Sequence, residues 1–214
     1  MGYFQAGFDV VGIDIEPQPN YPADFYQHNC LKLRPEWIAE NFDAVAASPP
    51  CQAHSVTNSL HDIEHPDLIE PTRELLEAAG LPYVMENVPG APLIDPVTLC
   101  GSSFGLSVRR HRLFETNWDL AGLDCKHRWQ ELYQPFRLGI SRKRAASRGT
   151  ENNWVMTGVM PVFGGTQLNG GGDLYYASVA MGIHWMDKKE LNQAIPPAYT
   201  MYIGRQLYKL LCNQ

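Results

Sequence analysis

Apolar positions in this chain come in short runs bounded by turn residues, and their spacing predicts strands alternating with helices. Phe42-Asp43-Ala44-Val45-Ala46-Ala47 reads as a buried strand running into Ser48-Pro49-Pro50, and Leu81 to Met85 reads as a second, running into Glu86-Asn87-Val88-Pro89-Gly90. Between them, roughly from Asp67 to Ala79, Leu68, Leu75, Leu76 and Ala79 recur at helical spacing, and Gly80 supplies a C-cap. A strand-helix-strand unit crosses over right-handedly, so the two strands are expected parallel and close. Farther on, alternation over Val108 to Phe114 sends Arg110 and Arg112 to one face, with Leu113 and Phe114 as anchors. Tyr202, Ile203, Gln206, Leu207, Leu210 and Leu211 predict a closing helix over 197–211. Together these elements predict an α/β fold.

That pattern places chemistry at strand ends, where ligands gather in open α/β sheets. Pro49 and Pro50 fix φ and withhold two backbone donors, so the position of the next residue, Cys51, is set by the turn itself. Glu86 stands at the neighbouring strand end. A thiolate beside a carboxylic acid suits addition to an electron-poor ring, the acid donating to a ring nitrogen as sulfur adds. Arg110 and Arg112 suit an anion or a carbonyl oxygen. Each residue also has a plainer reading: a thiol packed as a small hydrophobe, a carboxylate bonded to loop amides, and two solvated arginines.

Charge sharpens the picture. The net charge is −6, yet ten of the seventeen basic residues fall between Arg109 and Arg148, against four acidic ones there. One region could therefore attract phosphate while the remainder stays acidic. Within it, Ser141 to Thr150 has no apolar periodicity and reads as a solvated basic loop. The region 117–178 interleaves Trp118, Trp129, Tyr133, Phe136 and Trp154 with basic and glycine-rich stretches, and its aromatics read as the core of a small lobe. Five cysteines without a Cys-x-x-Cys pair argue for reduced thiols, and Cys125-Lys126-His127 offers two metal ligands at most, so no metal site is expected. No apolar run has membrane length, and the reading expects a cytoplasmic protein, a monomer with no membrane association.

Pro-Pro-Cys-Gln at 49–52, Glu-Asn-Val at 86–88 and Arg-x-Arg at 110–112, in this order and spacing, resemble the DNA (cytosine-5)-methyltransferases, in particular the short bacterial and phage-encoded members. The resemblance extends to Gly7-Phe8-Asp9-Val10-Val11-Gly12-Ile13-Asp14 and to Ala194-Ile195-Pro196-Pro197-Ala198-Tyr199-Thr200. It implies a Rossmann-like methyltransferase sheet and a cytosine flipped out of double-stranded DNA. It also implies methyl transfer from S-adenosylmethionine to ring carbon 5. Carried over residue by residue, Cys51 is the nucleophile, Glu86 engages N3 with Asn87 positioning it, and Arg110 and Arg112 hold the pyrimidine and nearby phosphate. Asp14, Ile15, Asn29 and Pro49 fall to the cofactor pocket.

The chain departs from the family pattern as well. No Phe-x-Gly-x-Gly occurs, so the first strand and its glycine-rich loop are expected to be absent, the chain beginning just after them. Asn29 stands where relatives have an aspartate, Val108 where they have a glutamine, and Gln193 near a usual asparagine. The expected organisation is a catalytic domain of residues 1–116 and 179–214, interrupted by a target-recognition lobe at 117–178. Three other readings stay open: an RNA cytosine methyltransferase, a noncatalytic DNA-binding remnant, and a cytosine-modifying enzyme using another one-carbon donor such as a reduced folate.

Overall fold

The computed structural model describes residues 1–50, 66–133 and 171–213. They form two compact units, the first made of Met1–Leu99, His111–Gly122 and Thr200 onward, the second of Cys100–Arg110 and Leu123–Tyr199. No helix among the described residues is long and apolar enough to cross a membrane.

The first unit is mixed α/β. Helix α1 (Gly2–Gln5) precedes the parallel pair β1 (Val11–Asp14) and β2 (Asp24–Gln27), a two-stranded sheet. Helix α2 (Pro35–Asn41) carries proline in its first turn, where the missing N–H costs nothing. A second sheet has the strand order β3-β4-β6-β5, built from β3 (Val45–Ala47), β4 (Tyr83–Asn87), β5 (Val97–Leu99) and β6 (Arg112–Thr116). The expected parallel neighbours are there: β3 and β4 pair in parallel, with Ala47 opposite Met85. β6 runs antiparallel to both β4 and β5.

Helix α3 (Ile69–Ala79) lies between β3 and β4 in the chain. It starts two residues later than its apolar spacing suggests, because the Asp67 side chain accepts the Ile69 N–H and holds the preceding backbone outside the helix. It ends as expected, with Gly80 in the left-handed region at φ 69°. Ile69, Leu76, Tyr83, Met85 and Ala91 form its shared core with the sheet, against Val45, Ala47 and Leu93.

Two strand boundaries differ from the pattern-based expectation. Phe42 is not part of β3: it terminates α2 and packs edge-on against Trp37, with ring centroids 5.5 Å apart. β3 is also half-buried rather than buried, with Ala46 exposed. β4 runs through Glu86 and Asn87 instead of stopping at Met85, since both pair with β6, opposite Phe114 and Leu113. The last helix, α7 (Pro197–Cys212), matches its predicted span to within a residue.

The second unit holds α4 (His127–Tyr133), α5 (Gly171–Met181) and α6 (Lys188–Gln193). Its core gathers Val108, Ala177, Ala180, Met181, Ile183 and Leu191. That core explains why the units divide differently from the expected 117–178 lobe: Val108 and residues 180–194 share one apolar cluster, so Cys100–Arg110 and the 179–199 stretch belong with it. Trp118 goes the other way. It lies in the first unit and donates its indole N–H to the Tyr83 carbonyl at 3.2 Å. Trp129 is 39% exposed and so is not a buried core residue of the lobe. Phe136, Trp154 and the basic loop at 141–150 lie outside the described residues.

Candidate active site

The side chains at the carboxyl end of β4 are fixed from two directions, both within the first unit. Asn87, 1% exposed, donates from Nδ2 to the Pro49 carbonyl at 3.0 Å, while its Oδ1 accepts the Val88 N–H at 2.8 Å. The amide thus ties the Pro-Pro turn after β3 to the loop after β4. Its neighbour Glu86 points to the other face of the strand, as pleat alternation requires. There Arg112 on β6 meets it, with Nε 3.0 Å from Oε1 and both side chains mostly buried. Arg112 also donates from Nη1 to the His111 carbonyl at 2.8 Å, so the guanidinium is held before any ligand arrives.

Tyr3 on α1 belongs to the same surroundings. The residue is half-buried, and its phenol pKa is raised, first by desolvation and then by the nearby Glu86 carboxylate. The phenol therefore stays a neutral donor beside Glu86. Tyr3 packs edge-on against Phe8, at a centroid distance of 6.3 Å, and close to the position where Gly204 of α7 lacks a side chain. Nothing in the pattern of the first five residues marks it for this role; only the packing of α1 does.

The second anchor region is the carboxyl end of β1. Asp14 accepts the Glu16 N–H at Oδ1 (2.9 Å) and a longer contact from Gln18 Nε2 at Oδ2 (3.3 Å). Its backbone carbonyl takes the His28 N–H at 2.8 Å, fixing the β1 end against the β2 end. Ile15 follows, 62% exposed, with its carbonyl accepting Gln27 Nε2 at 3.0 Å. Asn29 caps the 3-10 turn Cys30–Lys32, its Oδ1 accepting the Leu31 N–H at 3.0 Å. An added Cβ at Gly12 in β1 would lie 2.6 Å from the Tyr21 ring, which would have to shift to admit it.

Of the sequence-predicted residues, the structure thus brings together Glu86, Asn87, Arg112 and Pro49, and places Asp14, Ile15 and Asn29 at the ends of β1 and β2. Cys51 lies outside the described residues, one residue after the exposed Pro50. Arg110 does not share a strand with Arg112. β6 begins at Arg112, and Arg110 sits in the second unit, where Nη2 donates to the Asn192 carbonyl at 2.6 Å and its own carbonyl accepts the Tyr199 hydroxyl at 2.9 Å. The reason is Gln130, which is fully buried. Its Nε2 donates to the Leu106 and Val108 carbonyls (2.7 and 3.0 Å) and its Oε1 accepts Arg109 Nε (3.3 Å), doing for this segment what a partner strand would do.

No family model matches the chain, and no curated protein matches it. Among solved structures, the fold is similar to a protein described as a DNA modification methyltransferase encoded within an E. coli prophage, at 15% identity and a TM-score of 0.59, over 100% of this chain and 95% of that one. The S. pombe Dnmt2 methyltransferase aligns at 14% identity and a TM-score of 0.59, over 98% of this chain and 94% of that one. A mutant of Spodoptera frugiperda DNMT2 aligns at 14% identity and a TM-score of 0.53, over 98% and 95%. At these identities the likeness establishes a methyltransferase-like α/β fold.

Proposed function

We propose that this chain transfers a methyl group to carbon 5 of a cytosine flipped out of double-stranded DNA, with Cys51 as the nucleophile and Glu86 as the acid partner of the ring. The observation that carries the reading is the pair of contacts on adjacent residues of β4. Asn87 holds the carbonyl of Pro49, two residues before Cys51, while Arg112 orients Glu86. A nucleophile-bearing turn and a carboxyl group are thereby mounted on neighbouring parallel strands, the arrangement that paired addition and protonation needs.

In this reading the Cys51 sulfur adds to ring carbon 6 while N3 takes a proton or a strong hydrogen bond from Glu86, which moves electron density to carbon 5. Arg112 holds one carboxyl oxygen and so sets the plane in which Glu86 meets the ring. Once carbon 5 carries the methyl group, its proton passes to water, N3 returns its proton to Glu86, and the carbon 6 to sulfur bond breaks, releasing Cys51 as a thiolate. Base capture of this kind requires extrusion from the duplex. The basic region from Arg109 to Arg148 supplies phosphate attraction for that step.

The residues at the β1 end fit the expected methyl donor. S-adenosylmethionine, when bound, supplies an electrophilic methyl group. A carboxylate has about four lone-pair sites, and two protein donors on Asp14 leave capacity for the two ribose hydroxyls. Ile15 offers an exposed apolar face to adenine. Asn29 has its Oδ1 engaged in capping, so what it brings to the purine is its amide hydrogens, which suit a ring-nitrogen acceptor better than the exocyclic amine.

Duplex DNA carrying 5-fluorocytosine tests the chemistry, because fluorine at carbon 5 cannot leave as a proton does. With S-adenosylmethionine present, the chain should give a denaturant-resistant adduct, Cys51→Ser none, and Cys30→Ser and Cys212→Ser as much as the parent. An adduct that persists in Cys51→Ser would remove the basis of the reading.

A further inference from the structure

Cys100 is completely buried, yet its surroundings are not those of a thiol packed as a small hydrophobe. Its Sγ donates to the Arg109 carbonyl at 2.9 Å, accepts the Ser102 hydroxyl at 3.2 Å and lies 3.3 Å from His127 Nε2. Cys125 belongs to the same group: the ligand atoms of Cys100, Cys125 and His127 lie within 4.8 Å of one another. All three belong to the second unit. Sequence reading credits Cys125 and His127 with two ligands at most; the fold adds Cys100, from 25 positions earlier in the chain.

We propose that Cys100, Cys125 and His127 form a structural zinc site that staples the Cys100–Ser103 turn to the start of α4. The distances suit the ion. With Zn–S of about 2.3 Å and Zn–N of about 2.0–2.1 Å, tetrahedral angles place neighbouring sulfur and nitrogen about 3.5 Å apart and two sulfurs about 3.8 Å apart. The charges suit it too, since two thiolates and a neutral imidazole carry −2 and a divalent cation cancels it. Soft sulfur and nitrogen donors select against magnesium and calcium. The next shell is also built: the Ser102 hydroxyl donates to the Cys100 sulfur while accepting the Lys126 N–H at 2.9 Å, and Ser103 Oγ donates to the Asp124 carbonyl at 2.8 Å. Such partners orient metal ligands. Cys125 is exposed, which gives the ion a route in. Structural zinc takes four ligands. Cys100, Cys125 and His127 supply three of these, and water or a further donor fills the fourth position.

A small lobe that cannot bury a large core gains most from a staple of this kind. The site needs no assumption about the reaction catalysed, so its test is independent of methyl transfer. The full chain is purified under reductant without chelator and its metal content measured. We expect about one zinc per chain. Cobalt(II) exchanged into the protein should give the visible absorption of a tetrahedral thiolate complex together with a sulfur-to-metal charge-transfer band. Cys125→Ser and His127→Ala should each lose bound zinc, whereas Cys30→Ser and Cys212→Ser keep it. Ser102→Ala should weaken zinc about ten-fold or more, as loss of a ligand-orienting group does. Because Cys100 variants are at risk of misfolding, the parent itself is stripped with chelator. Its unfolding midpoint should fall and recover with zinc but not with magnesium. A parent that takes up neither zinc nor cobalt in excess overturns the site, as does a Cys100–Cys125 disulfide in place of metal.

Discussion

Arg112 Nε lies 3.0 Å from Glu86 Oε1 across two hydrogen-bonded strands, and this contact makes the carboxyl an oriented group rather than a strand-end charge open to water. The register explains it. Glu86 pairs with Phe114 and Asn87 with Leu113, so Arg112 stands one position beyond the Asn87 pair and reaches back along the strand edge. If Glu86 acts on the cytosine ring, Arg112 serves through it. Arg112→Met should lower the single-turnover rate by about a hundred-fold, the scale of losing one aligned polar group in a preorganised site. Arg112→Lys should recover only part of the loss, because an ammonium cannot reproduce the planar guanidinium. Glu86→Gln should cost at least as much. A normal rate in Arg112→Met would leave the pair as a structural tie alone.

Asn87 gives a second expectation, of a different kind. Its amide supplies the hydrogen bond that closes the Pro49 carbonyl against β4. Asn87→Ala leaves a buried acceptor short of a donor, at a cost of about 1–3 kcal/mol. Asn87→Asp should do worse, setting an acceptor against an acceptor. Thermal melts measure the stability change, and trapping on 5-fluorocytosine DNA measures how far the Cys51 turn depends on the clamp. Adduct formation should slow in both variants by more than the melting shift alone accounts for.

What the sequence made legible were the local devices. The crossover from β3 through α3 to β4 followed from two apolar runs, a helical repeat and a glycine at the cap, each decided within a few residues. The failures at the site are tertiary. Alternation grouped Arg110 with Arg112, but alternation holds only inside a strand, and Gln130 keeps Leu106, Val108 and Arg109 in another backbone arrangement. Tyr3 gains its place near Glu86 from the packing of α1 against Gly204 of α7, about two hundred residues away in the chain. The Cys100 cluster escaped for the same reason, since the spacing between Cys100 and Cys125 matches no short ligand pattern.

Two glycines separate steric from conformational demand. At Gly101, an added Cβ would lie 2.1 Å from the Val108 carbonyl oxygen, a backbone atom that also accepts from Gln130. Relief requires moving the backbone of the Val108 segment away from Gly101. At Gly80 a Cβ meets nothing within 4 Å, and the only penalty is φ 69°, about 1–2 kcal/mol for a left-handed residue with a side chain. Urea midpoints should therefore fall much further for Gly101→Ala than for Gly80→Ala. Equal shifts would contradict the crowding at Val108.

The last prediction concerns Glu115, 2% exposed on β6, which is the hub of the buried polar network in the first unit. Arg73 of α3 grips it through Nε and Nη2 at 2.8 and 2.9 Å, the Tyr83 hydroxyl donates to it at 3.1 Å, and the Ile94 N–H at 2.7 Å. Arg73 also donates to the Pro92 carbonyl and pairs with Glu70, so the guanidinium binds helix, loop and strand together. Burial alone would raise the Glu115 pKa; the bonds from Arg73, Ile94 and Tyr83 outweigh it and hold the carboxyl below its ordinary value. Tyr83 moves the other way, pushed up to about 12 by burial and by the adjacent carboxylate, and so remains a donor throughout the working range. A carboxyl whose folded pKa is depressed contributes stability that is complete above its unfolded pKa, about 4.3, and is lost as pH falls through the folded value. Glu115→Gln should therefore destabilise the chain most at neutral pH. Removing one partner of a buried pair leaves the other uncompensated, at about 3–5 kcal/mol. The gap between parent and variant should then narrow below about pH 4 as the parent's own carboxyl takes a proton. Urea unfolding at pH 7 and in acid measures both values. A gap independent of pH would mean that Glu115 contributes by shape and hydrogen bonding alone, with its charge irrelevant to the fold.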